Sequence, residues 1–62
     1  MEFERDSRKI ARLLERDGFE RIGAKGSHVK FRKAERTVIL PHPKKDLPLG
    51  TVRAIYRQAG WL

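Results

Sequence analysis

The chain has 62 residues, no cysteine and a formal net charge of +7. Its length predicts one domain, spanning residues 1–62, that buries only about 60% of the unfolded surface. The lack of cysteine excludes disulfides and thiolate metal sites. No apolar run approaches the roughly 20 residues that cross a bilayer. The charged N-terminus has no apolar secretory segment, so we expect a cytoplasmic location.

The first predicted element is a helix over residues 7–17. Ile10, Leu13 and Leu14 recur at helical spacing and form an apolar stripe that is expected to face a core. Gly18 follows directly, in the position where a glycine commonly ends a helix.

Three short strands are predicted next, over residues 19–25, 28–33 and 36–40. Alternation in the first strand is imperfect because Phe19 and Ile22 are out of phase, so a bend is expected there. A glycine-containing turn joins the first two strands and a polar turn joins the last two. Together these strands form an antiparallel meander.

Residues 41–48 hold three prolines and two lysines, which predicts a stiff, extended loop. Pro48 suits the first position of a second helix that runs to Ala59. The apolar face of this helix comprises Leu49, Val52, Ile55, Tyr56 and Ala59. The resulting α-β-β-β-α order is an α+β fold. Two helices on one face of its sheet would leave the other face open to solvent.

The second strand carries the richest chemistry in the chain. Since alternate side chains point to opposite faces, Val29 and Phe31 face the core, while His28, Lys30 and Arg32 share the exposed face. Histidine exchanges protons near neutral pH, and lysine and arginine hold phosphate. This face suits the binding and cleavage of a polyanion. A solvated strand face that happens to carry a histidine is the alternative, and this strand alone slightly favours it.

Positive charge is concentrated after the first strand of the chain. Residues 1–27 carry seven basic and six acidic side chains, whereas residues 28–62 carry eight basic and two acidic ones. Such asymmetry indicates a face that binds a polyanion. Nucleic acid fits this charge better than a membrane, because no segment is amphipathic with an all-basic polar face. The alternative is a basic surface that only keeps the protein in solution.

Four motifs follow one another along the chain: LLERDGF at 13–19, KGSH at 25–28, VILPHPKKDLPLGTV at 38–52 and QAG at 58–60. No single motif is specific, but their order and spacing in a chain of this length resemble the HicA family of toxin–antitoxin modules. The resemblance implies the double-stranded-RNA-binding-domain-like fold, in which both helices cover one face of a three-stranded antiparallel sheet.

The resemblance also implies a function. Family members cleave messenger RNA and are neutralised by a HicB-type antitoxin, so a metal-independent endoribonuclease without cofactor is expected. The family's catalytic histidine corresponds to His28. The next position, often polar in the family, is Val29 here, which leaves His28 as the only imidazole on its strand. Lys25, Lys30 and Arg32 are candidates for binding phosphate. We expect no direct DNA binding and no membrane partner.

Three further residues are candidates for RNA binding: Ser27, Lys44 and Lys45. Ser27 also satisfies simple turn chemistry, and the lysines also suit a solvated face. His42 has three interpretations, as a second acid–base group, a substrate contact or a locally hydrogen-bonded loop residue, of which the last is favoured. Two histidines and scattered acids do not form a recognisable metal-ligand set.

Two aromatic side chains near the C-terminus have two interpretations each. Tyr56 and Trp61 are able to stack on bases, but in so small a domain we expect them in the core, with Trp61 and Leu62 folded back onto it. A non-catalytic RNA-binding module of the same fold remains the alternative function.

Overall fold

The computed structural model describes residues 2–62, and Met1, the first residue of the predicted domain, lies outside the described residues. The elements are α1 (Ser7–Arg16), β1 (Glu20–Lys25), β2 (His28–Lys33), β3 (Arg36–Pro41) and α2 (Leu49–Ala59). The predicted α-β-β-β-α order is confirmed. No helix among residues 2–62 has the length and apolar character needed to cross a membrane.

The three strands form one antiparallel sheet in the order β1-β2-β3. Lys25 pairs with His28, so residues 26–27 make the turn of the first hairpin. Gly26 has a φ of 58° in this turn, a left-handed conformation that glycine adopts without strain. The turn at residues 34–35 joins β2 to β3 as predicted.

A bulge interrupts the pairing of β1 with β2. Arg21 pairs with Phe31 and Gly23 pairs with Lys30, so the intervening Ile22 has no partner in the ladder. Ile22 is 51% exposed. This extra residue explains the imperfect alternation of the sequence, and it lies next to Gly23, where the bend was predicted.

Both helices pack on the same face of the sheet. The core consists of buried apolar side chains from α1, β2, β3, α2 and two connecting segments: Ile10, Leu14, Phe19, Val29, Phe31, Val38, Leu40, Leu47, Val52, Ile55, Tyr56 and Ala59. Every residue of β1 is exposed. The opposite face of the sheet is therefore open, as expected from the sequence.

Three apolar side chains predicted to face the core lie outside it. Leu13 is 37% exposed, Leu49 is 45% exposed and Leu62 is 54% exposed. A sheet of three short strands is too narrow to cover the full apolar stripe of each helix, so the flanks of both stripes remain in solvent. Only Trp61 folds back, and its ring centroid lies 5.1 Å from that of Tyr56 in an edge-to-face contact.

Capping residues set the ends of both helices. The Asp6 carboxylate accepts a hydrogen bond from the Arg8 backbone N–H at 3.0 Å. The Arg8 side chain also donates to this carboxylate, and it holds the pKa of Asp6 below its ordinary value. Pro48 lies just before α2 as its cap residue instead of in the first turn, because its ψ of 142° is extended. Gly60 ends α2 with a φ of 82°.

Candidate functional site

The open face of the sheet presents basic side chains around one imidazole. His28, Lys30 and Arg32 are exposed on β2. Val29 and Phe31, which alternate with them, are only 3% and 1% exposed. The predicted division of this strand into a core face and an exposed face is confirmed.

His28 stands in the middle of a row that crosses all three strands. It pairs with Lys25 on β1 and with Pro41 on β3. Directly opposite residues of antiparallel strands place their Cβ atoms on the same face, about 4.5–5.5 Å apart. The two-residue turn of the first hairpin therefore sets Lys25 beside the imidazole.

A second row runs parallel to the first and consists of Gly23, Lys30 and Ile39. Ile39 is 37% exposed although it is apolar. The two rows border a groove of 330 Å³ that is lined by Gly23, Ala24, Lys25, His28, Val29, Lys30 and Ile39. The sequence indicated Gly23 only as the place of a bend and did not single out Ile39, because their position beside His28 depends on strand register.

The loop between β3 and α2 is attached to this end of the sheet. The His42 backbone N–H donates to the Ser27 carbonyl at 2.7 Å. The Ser7 backbone N–H donates to the Lys44 carbonyl at 2.8 Å, and the Lys44 N–H donates to Ser7 Oγ at 2.7 Å. These bonds bring Lys44 to the same end of the molecule as His28.

The His42 side chain is engaged with the start of α1. Its Nδ1 lies 2.9 Å from Ser7 Oγ, and Ser7 is fully buried. Ser7 Oγ therefore contacts both the Lys44 N–H and His42 Nδ1. Of the three interpretations of His42, this geometry favours the locally hydrogen-bonded loop residue.

Within residues 2–62, the candidate cations form no ion pair, although Arg32 lies opposite Glu20 of β1 in the strand ladder. The ion pairs within residues 2–62 join Arg5 to Asp46, Arg8 to Asp6 and Lys33 to Asp17. None of them uses the five candidate cations, which are all exposed: Lys25, Lys30, Arg32, Lys44 and Lys45. Their charges are therefore available to an external anion. Ser27, in the turn, is exposed as well.

A larger groove of 850 Å³ lies at the other end of the sheet, beside the turn at residues 34–35. Two of its ionisable groups, Asp17 and Lys33, pair with each other. Lys33 Nζ lies 3.3 Å from one oxygen of Asp17, and Trp61 Nε1 donates to the other at 3.0 Å. The Trp61 hydrogen bond, followed by the contact with Lys33, holds the pKa of Asp17 below its ordinary value. These contacts stabilise this end of the sheet.

The two C-terminal aromatic residues differ in exposure. Tyr56 is 6% exposed and belongs to the core, as predicted. Trp61 is partly buried and packs against that core. The part of the chain that the structure describes contains no cluster of three or more His, Cys, Asp or Glu side chains able to hold a metal ion.

Comparison with known protein families finds a match over most of the chain. A family model described as the HicA toxin of bacterial toxin–antitoxin systems matches residues 7–61. This range contains all five elements and every candidate site residue. No curated protein matches the chain.

Proposed function

The chain belongs to the HicA toxin family, and we propose that it is a metal-independent endoribonuclease that cleaves messenger RNA with His28 as its acid–base catalyst. Cleavage of mRNA would stop translation, and it would place the toxin's action in the cytoplasm.

RNA cleavage without a metal ion requires proton transfer and stabilisation of negative charge. As the ribose O2′ attacks the neighbouring phosphorus, its proton passes to the neutral His28 imidazole. The bond from phosphorus to O5′ then breaks, which leaves a 2′,3′-cyclic phosphate. The departing oxygen takes a proton from water, which reaches this exposed face. Proton transfer of this kind contributes about 10²–10⁴-fold to rate.

The cations beside His28 act on the charge that builds up at phosphorus. Lys25 occupies the same row of the sheet as His28, and Lys30 occupies the next row. A phosphate held at the imidazole is thus within the field of two ammonium groups, which favours the doubly charged transition state over the singly charged substrate. Arg32, Lys44 and Lys45 extend the basic surface to neighbouring phosphates, and Ser27 adds a hydroxyl at the turn.

One observation supports this function above others: the register sets His28 and Lys25 side by side, and Lys25 and Lys30 form no ion pair within residues 2–62. A binding module needs the cations, but it does not need an imidazole among them.

Neutralisation by a HicB-type antitoxin is part of the same proposal. The antitoxin would present acidic and apolar groups to the open sheet face and cover His28. Support comes from the net charge of residues 28–62 and from the exposed Ile39 in the groove. A structure of the complex in which His28 stays open to solvent would instead mean that the antitoxin acts from a distance.

A non-catalytic RNA-binding module is the second candidate function. One observation favours it: within residues 2–62, no side-chain hydrogen bond involves the His28 ring. Acid–base histidines are commonly oriented by a hydrogen-bonded neighbour. In an endoribonuclease of this design, the bound RNA would orient the ring.

RNA cleavage in EDTA by wild type, His28→Ala and Thr37→Ala distinguishes these functions. Thr37 lies on the neighbouring strand β3, outside the groove, and serves as the control. We expect wild type and Thr37→Ala to cleave equally. His28→Ala should lose about 10²–10⁴-fold in rate while it keeps its RNA affinity. Equal cleavage by all three proteins would put the active site elsewhere, and binding without cleavage by wild type would identify a binding module.

A further inference from the structure

We propose that the groove beside His28 is a binding site for one nucleobase of the RNA substrate, an assignment that rests on the proposed ribonuclease function for its biological role. The groove combines an apolar wall, Ile39, with a cationic rim, Lys25 and Lys30. A nucleotide offers the matching pair of features, a flat apolar base and an anionic phosphate.

The size of the groove limits its occupant. Small-molecule sites in proteins have volumes of about 300–1,000 Å³, and this groove has 330 Å³. This volume is at the lower end of that range and is sufficient for a single base. A base held there would determine which phosphodiester lies against His28.

Gly23 keeps the groove open. A Cβ atom built on Gly23 would meet no atom within 4 Å, and its φ lies outside the left-handed region. The backbone at this position consequently has no conformational need for glycine. Because Gly23 shares its row with Lys30 and Ile39, a side chain there would enter the space beside them. The missing side chain exposes the strand backbone, on which a planar ring is able to lie.

Ile39 supplies the apolar contact. It is 37% exposed on an otherwise basic part of the sheet, next to Lys30 in the adjacent strand. Its backbone is fixed from the other side, since Gln58 Oε1 accepts the Ile39 N–H at 3.1 Å. The isoleucine is thus held in place as one wall of the groove. Covering its side chain with a base removes apolar surface from water, which favours binding.

Binding of the four nucleoside 3′-monophosphates, followed by NMR chemical shifts, tests this site without requiring cleavage. Inorganic phosphate serves as the reference ligand. We expect the nucleotides to shift the amide signals of Gly23, Ala24 and Ile39 and to bind about tenfold more tightly than phosphate. Phosphate alone should shift signals near Lys25 and His28 only.

Two variants and a matched control complete the test. Ile39→Ala and Gly23→Leu should each weaken nucleotide binding about tenfold and leave phosphate binding unchanged. Ile22→Ala is the control, because Ile22 is another exposed isoleucine of the same sheet, 51% exposed against 37% for Ile39, and lies outside the groove. It should alter neither affinity. Amide spectra of all variants report whether the fold is retained.

Equal affinity for nucleotides and phosphate would overturn the base site and leave only an anion site. Groove signals that respond to a HicB-type antitoxin and to no nucleotide would assign the groove to protein recognition, which also overturns it. The ribonuclease proposal is tested separately: wild type that cleaves RNA without binding nucleotides in the groove refutes the base site alone.

Discussion

Ser7 shows how one buried hydroxyl group holds the loop that carries Lys44 and Lys45. Its Oγ receives the Lys44 N–H at 2.7 Å and lies 2.9 Å from His42 Nδ1. Ser7 is 35 positions from His42 and 37 positions from Lys44 in the sequence, so the hydroxyl links the start of α1 to the loop before α2. The positions of two candidate RNA-binding lysines depend on this link.

Replacing Ser7 with alanine is expected to lower the free energy of unfolding by about 1–3 kcal/mol, because the Lys44 N–H and His42 Nδ1 lose their partner. Ser27→Ala is the control, since this serine is exposed in the turn, and an exposed substitution usually changes stability by about 0.5 kcal/mol or less. Urea denaturation measures both. Equal stability of the two variants would mean that the buried hydroxyl contributes little.

Asp17 makes part of the stability depend on pH. Its pKa is held below the ordinary value of 3.8 by the Trp61 hydrogen bond and by Lys33. A carboxyl whose pKa is lower in the folded state stabilises the fold above the unfolded pKa, and this contribution is lost as pH falls through the folded pKa. We expect stability to decrease below about pH 4 for this reason.

Asp17→Asn should flatten this acid dependence, because asparagine keeps an acceptor for Trp61 but does not titrate. Fluorescence of Trp61, the single tryptophan, follows acid unfolding of both proteins. Wild type and Asp17→Asn should converge in stability as the pH is lowered. Parallel curves would assign the acid sensitivity to other carboxyl groups, with Asp6 the first to examine.

Among the secondary-structure elements, the first hairpin decides the composition of the candidate site. Its two-residue turn sets the pairing of Lys25 with His28, and the bulge at Ile22 shifts the pairing so that Gly23 falls opposite Lys30. A change of one residue in register would send the His28 side chain to the core face. The site is thus a property of strand pairing as well as of residue type.

Alanine substitutions at Gly18 and Gly50 are expected to change stability in opposite directions. Gly18 ends a helix, whereas Gly50 lies inside one. Gly18 has a φ of 98°, and an added Cβ would make only an ordinary contact with Lys33, at 3.5 Å from its Cε. The left-handed conformation should make Gly18→Ala destabilising by about 1–2 kcal/mol. Gly50 lies in α2 with open space around it, so Gly50→Ala should stabilise by roughly 0.5–1 kcal/mol. Thermal unfolding compares them, and effects of the same sign would contradict this account.

Across the whole molecule, the two ends of the sheet differ in the contacts of their charged side chains. The end with the 26–27 turn carries unpaired cations and the imidazole, whereas the end with the 34–35 turn carries the Asp17, Lys33 and Trp61 contacts. Substitutions at the second end should therefore alter stability more than RNA binding.

The salt dependence of RNA binding tests whether Lys44 and Lys45 contact phosphate groups of the RNA. Each phosphate contact on a single strand contributes about −0.7 to the slope of log K against log salt. The double variant Lys44→Gln, Lys45→Gln should thus lower the slope by roughly 1.4 in magnitude. Arg12→Gln, Arg16→Gln removes the same charge from the exposed side of α1 and should leave the slope nearly unchanged. An equal decrease of the slope in both double variants would indicate that the RNA is attracted by the net charge of the protein alone.

Much of the fold was predictable because it depends on local signals. Alternation in β2, the turn residues between strands and the glycines that end the helices act over a few residues, so each element was expected within one residue of where it lies. The same alternation assigned His28, Lys30 and Arg32 to the open face. The burial of Leu13 and Leu49 was predicted wrongly, since helical spacing does not report how wide a sheet the helix covers.

The sequence by itself determined the order of the elements, the faces of β2 and the membership in a toxin family, because periodicity, turn chemistry and motif order are written along the chain. Only the tertiary structure decided that Lys25 stands beside His28, that Gly23 and Ile39 border a groove there, and that His42 turns to Ser7. These relations join residues on different strands or distant segments. They are set by register and by the packing of a small core, where a shift of one residue changes every neighbour.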